Sequence, residues 1–362
     1  MARPYAHGMS FVVRASEMHG VWRRAADLGA ESIRERELHI PTPAGTGALR
    51  ARAYEPTRKI RRTALLVGGL HAGGGDEPRL LAFARQLAAS GVAVVTPAIP
   101  ELSQFSITPA LTDAIEDVAV WLSADTRLAP DGRIGIMGVS FSGGLSLVAA
   151  GRPSLRGRVA YVFSFGGHDD LRRVLRYLCT GVVRGTVRPP HDYGVTVLLL
   201  DMADHVVPSD QVAALRHGVR RFLRASYLDR VDKPQAEREF AALRAMARAL
   251  PEPSATLLDY VNNRDVTHIG ARLLPYIELH GAAAALSLSR SPKPTAPVFL
   301  LHGTRDNVIP AEESQYLADD MRGSAPVRLL LTDLVSHAEA DQPAHLWDVL
   351  QLAAFWTDLL GR

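Results

Sequence analysis

Ser140 stands in a run of small residues that is typical of a sharp turn between a strand and a helix. The run reads Gly138-Val139-Ser140-Phe141-Ser142-Gly143-Gly144. Such a turn needs small residues two positions before and two positions after its apex, because larger side chains there would clash with neighbouring backbone. The residue at the apex is held in a strained conformation that exposes its hydroxyl group. We therefore take Ser140 as a candidate nucleophile, with an ordinary glycine- and serine-rich helix start as the alternative.

A serine hydroxyl is a weak nucleophile that needs a base and a group to orient the base. Asp306 follows an apolar run at 296–301, and His337 follows another at 327–331. Both runs are typical of buried strands. The order serine, aspartate, histidine, with each residue in a loop after a strand, matches the nucleophile-elbow arrangement. We expect Ser140 as nucleophile, Asp306 as orienting acid and His337 as base, gathered at one edge of a sheet.

A glycine-rich segment at 68–75 directly follows a third strand-like run and reads Gly-Gly-Leu-His-Ala-Gly-Gly-Gly. Glycines allow backbone N–H groups to approach a reacting carbonyl group and stabilise the oxyanion that forms on it. We expect the N–H of Phe141 to be one oxyanion donor, because it would begin a helix. The N–H of Ala72 or Gly73 is the expected second donor. A phosphate-binding loop is excluded because the Gly-Lys-Ser/Thr ending is missing.

Three other carboxylates compete with Asp306 for the role of the acid. Asp204 lies in the segment 198–208, whose sequence partly repeats the one around Asp306. Asp169 and Asp170 follow the apolar run at 159–163. The position of Asp306 shortly before His337 favours Asp306. The other three are then interpreted as helix caps or turn residues.

The first half of the chain alternates short apolar runs with amphipathic helical patterns, after a hairpin pattern at 34–54. This alternation predicts βαβ units and a mostly parallel sheet. It stops after Gly167 and resumes at 296, and the residues between have mainly helical patterns. We expect an α/β core formed by residues 1–168 and 293–362, with a largely helical cap insertion at 169–292.

The composition, with 47% hydrophobic and 22% charged residues, excludes a disordered, collagen-like or coiled-coil chain. Its 41 basic and 38 acidic residues include no basic run with interleaved aromatic residues, so no nucleic-acid partner is expected. The charged N-terminus and the absence of a long apolar stretch predict a cytoplasmic protein without stable membrane insertion. Cys179 is the single cysteine, so no internal disulfide is possible. No histidine pair has metal-ligand spacing, and no metal or cofactor is expected.

Several basic side chains have plausible structural roles. His71 and His302 are expected to brace loops through hydrogen bonds. Two arginine clusters at helical spacing are interpreted as solvated helix faces, with recognition of an acidic substrate group as the alternative. They consist of Arg172, Arg173 and Arg176, and of Arg216, Arg220, Arg221 and Arg224.

Together these motifs resemble serine hydrolases of the α/β-hydrolase superfamily, in particular its carboxylesterase and dienelactone-hydrolase-like members. The resemblance covers about residues 34–362 outside the insertion. It is carried by His71-Ala-Gly-Gly, Gly-Val-Ser140-Phe-Ser, His-Gly-Thr-Arg-Asp306 and Ser-His337. In two departures, Ala72 and Ser142 stand where the family often has glycine.

The resemblance implies an α/β-hydrolase fold with a mostly parallel central sheet. It also implies cofactor-free hydrolysis of a small-molecule carboxylic ester through an acyl-enzyme intermediate. The same fold and triad can cleave amides, thioesters or carbon–carbon bonds, and a non-catalytic binding protein is a further alternative.

Overall fold

The computed structural model describes residues 2–15, 21–41, 47–335 and 346–362. The chain divides into two compact units. Met1–Asp170 and Ala284–Arg362 form the sheet unit, and Leu171–Ala283 forms the helical unit. Residues 284–292, which we expected in the insertion, therefore group with the sheet unit. Over the described ranges, no helix is both long and apolar enough to cross a membrane.

The sheet unit contains an eight-stranded sheet in the order β1-β2-β4-β3-β5-β6-β9-β10. β1 and β2 form the predicted antiparallel hairpin, and β2 pairs antiparallel with β4. From β4 onward, all neighbouring strands are parallel. The strands are β1 (Ile33–Pro41), β2 (Ala48–Pro56), β3 (Thr63–Val67), β4 (Ala93–Pro97), β5 (Ile134–Val139), β6 (Val159–Phe165), β9 (Val298–Gly303) and β10 (Val327–Thr332).

The central strands are continuous apolar runs because helices cover both faces of a parallel sheet. All residues of β3, β4 and β9 are buried. The prediction of a mostly parallel α/β core is confirmed. The carboxyl ends of β3, β5, β6 and β9 form one edge of this sheet, and we call it the carboxyl edge.

Most helices of the sheet unit follow a strand, as the alternation of sequence patterns predicts, and two helices that were not predicted precede the first strand. The helices are α1 (Ala2–Ala15), α2 (Val21–Asp27), α3 (Pro78–Ala89), α4 (Pro100–Gln104), α5 (Pro109–Ala124), α6 (Phe141–Ala150), α15 (Glu312–Asp320) and α16 (Leu346–Leu360). α1 packs along α16, and the rings of Phe11 and Trp356 lie 4.4 Å apart between centroids. Helices α1 and α16 therefore belong to one hydrophobic core.

The helical unit consists of helices and one short hairpin, β7 (Val182–Val183) with β8 (Thr186–Val187). Its helices are α7 (Leu171–Thr180), α8 (Asp192–Asp201), α9 (Ala203–Val206), α10 (Ser209–Val231), α11 (Lys233–Ala249), α12 (Ser254–Asn262), α13 (Val266–Leu273) and α14 (Ile277–His280). The partial sequence repeat is not a structural repeat, because Leu198 lies in helix α8 and Leu300 lies in strand β9.

Candidate active site

Ser140 forms the apex of the turn between β5 and α6. Its backbone angles are φ 59° and ψ −134°, in a region that side chains with a Cβ rarely adopt. The Ser140 N–H donates to the Phe165 carbonyl oxygen at 2.7 Å, and the Ser140 carbonyl oxygen accepts from the Gly143 N–H at 2.8 Å. These bonds tie the turn to the end of β6 and to the first turn of α6. The strained conformation is therefore held by the surrounding backbone.

Small residues are required around this turn because the backbone of α6 crosses the end of β5 closely. A Cβ atom at Gly138 would lie 2.2 Å from the Ser142 carbonyl oxygen. A Cβ atom at Gly143 would lie 2.5 Å from the Ser164 hydroxyl oxygen. Ser142 itself is fully buried and fits where glycine is commoner. Serine at position 142, in place of the commoner glycine, is therefore compatible with the turn.

Phe141 is the first residue of α6, and the first N–H groups of a helix have no acceptor within the helix. Its ring packs edge-on against the ring of His168, with 5.6 Å between the centroids. His168 is fully buried, and its Nε2 donates to the Leu286 carbonyl oxygen at 2.9 Å. His168 was not singled out from the sequence, and its ring packs against the side chain next to Ser140.

Asp306 lies in the loop after β9, at the same carboxyl edge as Ser140, and is 1% exposed. Its Oδ1 accepts the N–H groups of Val308 at 2.8 Å and Ile309 at 3.0 Å. β6 separates β5 from β9, so the ends of these two strands are roughly 10 Å apart. One histidine between the loops could contact both Ser140 and Asp306 over this distance.

His302 braces the Asp306 loop, as expected. Its Nε2 lies 2.9 Å from the Ile309 carbonyl oxygen and 3.3 Å from Asp306 Oδ2. Because a carbonyl oxygen can only accept, Nε2 carries a proton. In the neutral ring, Nδ1 then accepts from the Ser314 hydroxyl at 2.7 Å. This fully buried histidine directs an N–H toward the Asp306 carboxylate.

His337, the expected base, falls outside the described residues. The described chain after β10 reaches residue 335 at the carboxyl edge. There the Thr304 hydroxyl donates to Asp333, and the Thr304 N–H donates to the Thr332 carbonyl oxygen at 3.1 Å. The segment that leads to His337 therefore starts beside the loop that carries Asp306.

In the glycine-rich loop after β3, Gly69 lies against Ser140, whereas Ala72 or Gly73 was the expected neighbour. A Cβ atom at Gly69 would lie 3.2 Å from the Cβ atom of Ser140 and 3.8 Å from its Oγ. The N–H of Gly73, an expected oxyanion donor, instead donates to Nδ1 of His71 at 3.0 Å. Ala72 is exposed in the same loop. In this conformation the Gly73 N–H is already hydrogen-bonded to His71. The glycine that lies against Ser140 is Gly69, the second glycine after β3, which was not singled out from the sequence.

Glu77 anchors the far end of this loop at the start of α3. Its carboxylate accepts from the Leu80 N–H at 2.7 Å and from Arg79 Nε at 2.7 Å. Burial would raise the pKa of Glu77, but the hydrogen bonds and positive charge of its partners hold that pKa below its usual value. Glu77 thus stays ionised and caps the helix that follows the loop.

The competing carboxylates of Asp204 and Asp170 have other contacts. Oδ2 of Asp170 accepts from the Ser289 hydroxyl at 3.3 Å and lies 3.7 Å from Arg290 Nε. Asp204 lies in the helical unit with about half of its side chain exposed, and its Oδ1 accepts from Arg216 Nη2 at 3.0 Å. The backbone N–H groups of Asp169 and Asp170 both donate to Oε2 of buried Glu313, at 3.0 and 3.2 Å. Glu313 was not singled out from the sequence, and it secures the loop that follows β6.

Ion pairs are found in both arginine clusters. Arg176 pairs with Glu278, and Arg221 pairs with Glu239. These contacts agree with the interpretation of the clusters as solvated helix faces. Within the part of the chain that the structure describes, no group of three or more His, Cys, Asp or Glu side chains is placed to hold a metal ion.

Comparisons with known proteins identify the fold. No family model matches the sequence, and no curated protein matches it. The structure is similar to an esterase from Pyrobaculum calidifontis, with 16% identity, a TM-score of 0.50, and coverage of 99% of this chain and 91% of that one. It is also similar to a thermostable carboxylesterase from a metagenomic library, with 15% identity, a TM-score of 0.49, and coverage of 98% and 95%.

A dienelactone hydrolase from Anabaena variabilis has 16% identity and a TM-score of 0.44, with coverage of 90% of this chain and 96% of that one. At these identities, the similarity concerns the fold. The sheet order, the strand-to-helix turn at Ser140 and the Pyrobaculum match agree with one another. The chain therefore has the α/β-hydrolase fold.

Proposed function

We propose that this chain is a serine hydrolase that cleaves carboxylic esters through an acyl-enzyme intermediate. The backbone of Ser140, at φ 59° and ψ −134° between β5 and α6, is the observation that carries the proposal. A side chain in this strained conformation is a candidate for function, because the strain persists only where the surrounding structure enforces it. The similarity of the fold to that of an esterase from Pyrobaculum calidifontis is consistent with this chemistry.

In the proposed mechanism, His337 accepts the proton of the Ser140 hydroxyl while its oxygen attacks the ester carbonyl carbon. The alcohol leaves with that proton, and the acyl group stays on Ser140. Water, deprotonated by the same histidine, then releases the acid. Asp306 orients the imidazole and stabilises its protonated form. The N–H groups of Val308, Ile309 and His302 hold the buried Asp306 carboxylate in place.

The negative charge on the carbonyl oxygen needs N–H donors that are already in place. We propose Phe141 as one donor, because its N–H begins α6 next to the nucleophile. The second donor comes from Gly69, Leu70 or Ala72, since Gly69 lies against Ser140, the Gly73 N–H is bonded to His71, and the His71 N–H donates to the Leu102 carbonyl oxygen at 3.1 Å. Loss of one such donor typically lowers the rate by about 10²–10³-fold.

Hydrolysis of p-nitrophenyl acetate and butyrate by the wild type and by Ser140→Ala tests this proposal. Matched p-nitroanilides and thioesters distinguish ester cleavage from amide and thioester cleavage. Ser32→Ala removes an exposed hydroxyl elsewhere in the sheet unit and serves as the control. We expect ester turnover by the wild type and the control, and none above background by Ser140→Ala. Equal turnover by all three proteins would refute the proposal, and turnover of anilides alone would reassign the substrate class.

A further inference from the structure

The amino edge of the sheet, opposite the carboxyl edge, carries a concentration of positive charge. The neighbouring strands β3, β5 and β6 begin there, and basic residues precede each strand. Hydrogen bonds hold two of these loops together. The Ile134 N–H donates to the Arg158 carbonyl oxygen at 2.9 Å, and Arg133 Nη2 donates to the Val159 carbonyl oxygen at 3.2 Å. The basic residues are Arg58, Lys59, Arg61, Arg62, Arg127, Arg133, Arg156 and Arg158.

These eight side chains lack the carboxylate partners that several other arginines of the sheet unit have. Within the described ranges, none of the eight forms an ion pair, whereas Arg85 pairs with Glu35 and Arg36 pairs with Glu55. Two aspartates of the same loops accept backbone N–H groups instead. Asp125 Oδ1 accepts from Arg127 and Leu128, and Asp131 Oδ1 accepts from Arg133. Two aspartates offset only part of the charge of the eight basic side chains, so these loops keep a net positive charge.

A cavity of about 280 Å³ opens among these loops and is lined by Arg133, Arg156, Gly157 and Thr295. Gly157 has φ 77°, and a Cβ atom there would meet no atom within 4 Å, so the backbone is open toward an approaching ligand. This volume is slightly smaller than that of most small-molecule sites, about 300–1,000 Å³. The cavity suits a small ligand better than a macromolecular surface.

We propose that this cavity binds a small multivalent phosphate anion between the guanidinium groups of Arg133 and Arg156. Guanidinium groups present paired N–H donors that match phosphate oxygens, and they keep their charge throughout the physiological pH range. Thr295, a residue with a hydroxyl group, also lines the cavity. The site lies at the amino edge and does not include Ser140 or Asp306. It is thus independent of the proposed hydrolase activity.

Isothermal titration calorimetry with sodium tripolyphosphate tests this site. We expect saturable binding of one anion by the wild type and at least about tenfold weaker binding by the double variant Arg133→Gln/Arg156→Gln. The matched control is Arg24→Gln/Arg34→Gln, which removes two exposed arginines without ion pairs in the described ranges. The control should retain affinity within about twofold. Unchanged melting temperatures confirm that both double variants are folded.

Absence of saturable binding by the wild type would overturn the proposal. Equal weakening in the site variant and the control would overturn it too, because binding would then follow net charge alone. A second experiment measures co-sedimentation with phosphatidylcholine vesicles that contain phosphatidic acid. Vesicle binding without tripolyphosphate binding would assign the basic edge to lipid headgroups and refute a small-molecule site. Tripolyphosphate binding with no vesicle binding is the expected result.

Discussion

Ser140 occupies a backbone conformation that disfavours any residue with a Cβ atom. Strain of this kind costs about 1–3 kcal/mol, and nothing in folding alone demands a hydroxyl group at this position. Glycine would relieve the strain, whereas alanine would keep it. The two substitutions therefore separate the chemical role of the hydroxyl group from its effect on stability.

We predict that Ser140→Ala abolishes turnover and changes the free energy of unfolding by no more than about 0.5 kcal/mol. Ser140→Gly should also be inactive but about 1–2 kcal/mol more stable than Ser140→Ala, because glycine adopts positive φ without strain. Urea unfolding of both variants measures the difference. A Ser140→Gly protein no more stable than Ser140→Ala would show that the turn is not strained.

At Asp306, we predict that Asp306→Asn lowers kcat/KM by about 10³–10⁴-fold. Its amide can retain the bonds from Val308 and Ile309, but an amide N–H in place of Oδ2 would face the N–H of His302. Two N–H donors that face each other without an acceptor should also lower the free energy of unfolding by about 1–3 kcal/mol. Thermal unfolding and ester hydrolysis measure the two effects.

Asp204→Asn is the matched control for this carboxylate. Asp204 is half exposed and bound to Arg216, so its substitution should leave most of the activity. The opposite result, with activity lost in Asp204→Asn and kept in Asp306→Asn, would move the orienting acid into the helical unit.

At the scale of elements, the turn between β5 and α6 depends on a close approach of backbones. In Gly138→Ala the added Cβ atom would lie 2.2 Å from the Ser142 carbonyl oxygen, so α6 would have to shift. We predict a loss of at least about 3 kcal/mol in the free energy of unfolding. Gly29→Ala, where a Cβ atom meets nothing within 4 Å, should change it by less than about 0.5 kcal/mol. Similar stability of the two variants in denaturant titrations would contradict the observed packing.

The strands were predictable because those of a parallel sheet are buried on both faces and form short, continuous apolar runs. The partial repeat at 198–208 marks the limit of this signal, because a short apolar run alone does not distinguish a buried helix from a buried strand. Leu198 is buried in α8, while the equivalent Leu300 is buried in β9. Tertiary context decided between the two structures.

The candidate site shows the same limit. Ser140 and Asp306 could be selected from local spacing, since each follows a strand. Gly69 could not be preferred to Ala72 and Gly73 as the loop residue next to Ser140. The path of the loop depends on hydrogen bonds such as that from the Gly73 N–H to His71. The contact of His168 with Phe141 likewise depends on the fold of β6 beside α6. Local patterns carry no information about such contacts.

For the whole molecule, the packing of the first helix couples stability to pH. His7 in α1 is half-buried, and its Nε2 donates to the Ser90 carbonyl oxygen at 3.2 Å. Burial lowers the pKa of His7 from 6.5; the Ser90 bond opposes this shift, Arg62 and Arg14 reinforce it, and Glu31 opposes it. The unfolded chain therefore binds a proton at higher pH than the folded chain. Stability from neutral His7 is present above pH 6.5 and is lost as the pH falls toward the lower folded pKa.

We predict that His7→Gln loses less stability than the wild type between about pH 7.5 and about pH 5, because glutamine keeps the donor to Ser90 and does not titrate. His39→Gln, at a histidine with 70% of its side chain exposed, should behave like the wild type. Urea unfolding at both pH values measures the difference. Parallel pH dependence in His7→Gln and the wild type would exclude His7 as a contributor.

The most direct test of the central claim is labelling of the folded protein with a fluorophosphonate probe, followed by peptide mass spectrometry. The probe reacts with activated serines and requires no assumption about the substrate. We predict one adduct on the peptide that contains Ser140 and no adduct in Ser140→Ala, with circular dichroism showing that both proteins are folded. A folded wild-type protein that remains unlabelled, or that is labelled at a different serine, would contradict the assignment of Ser140 as the nucleophile.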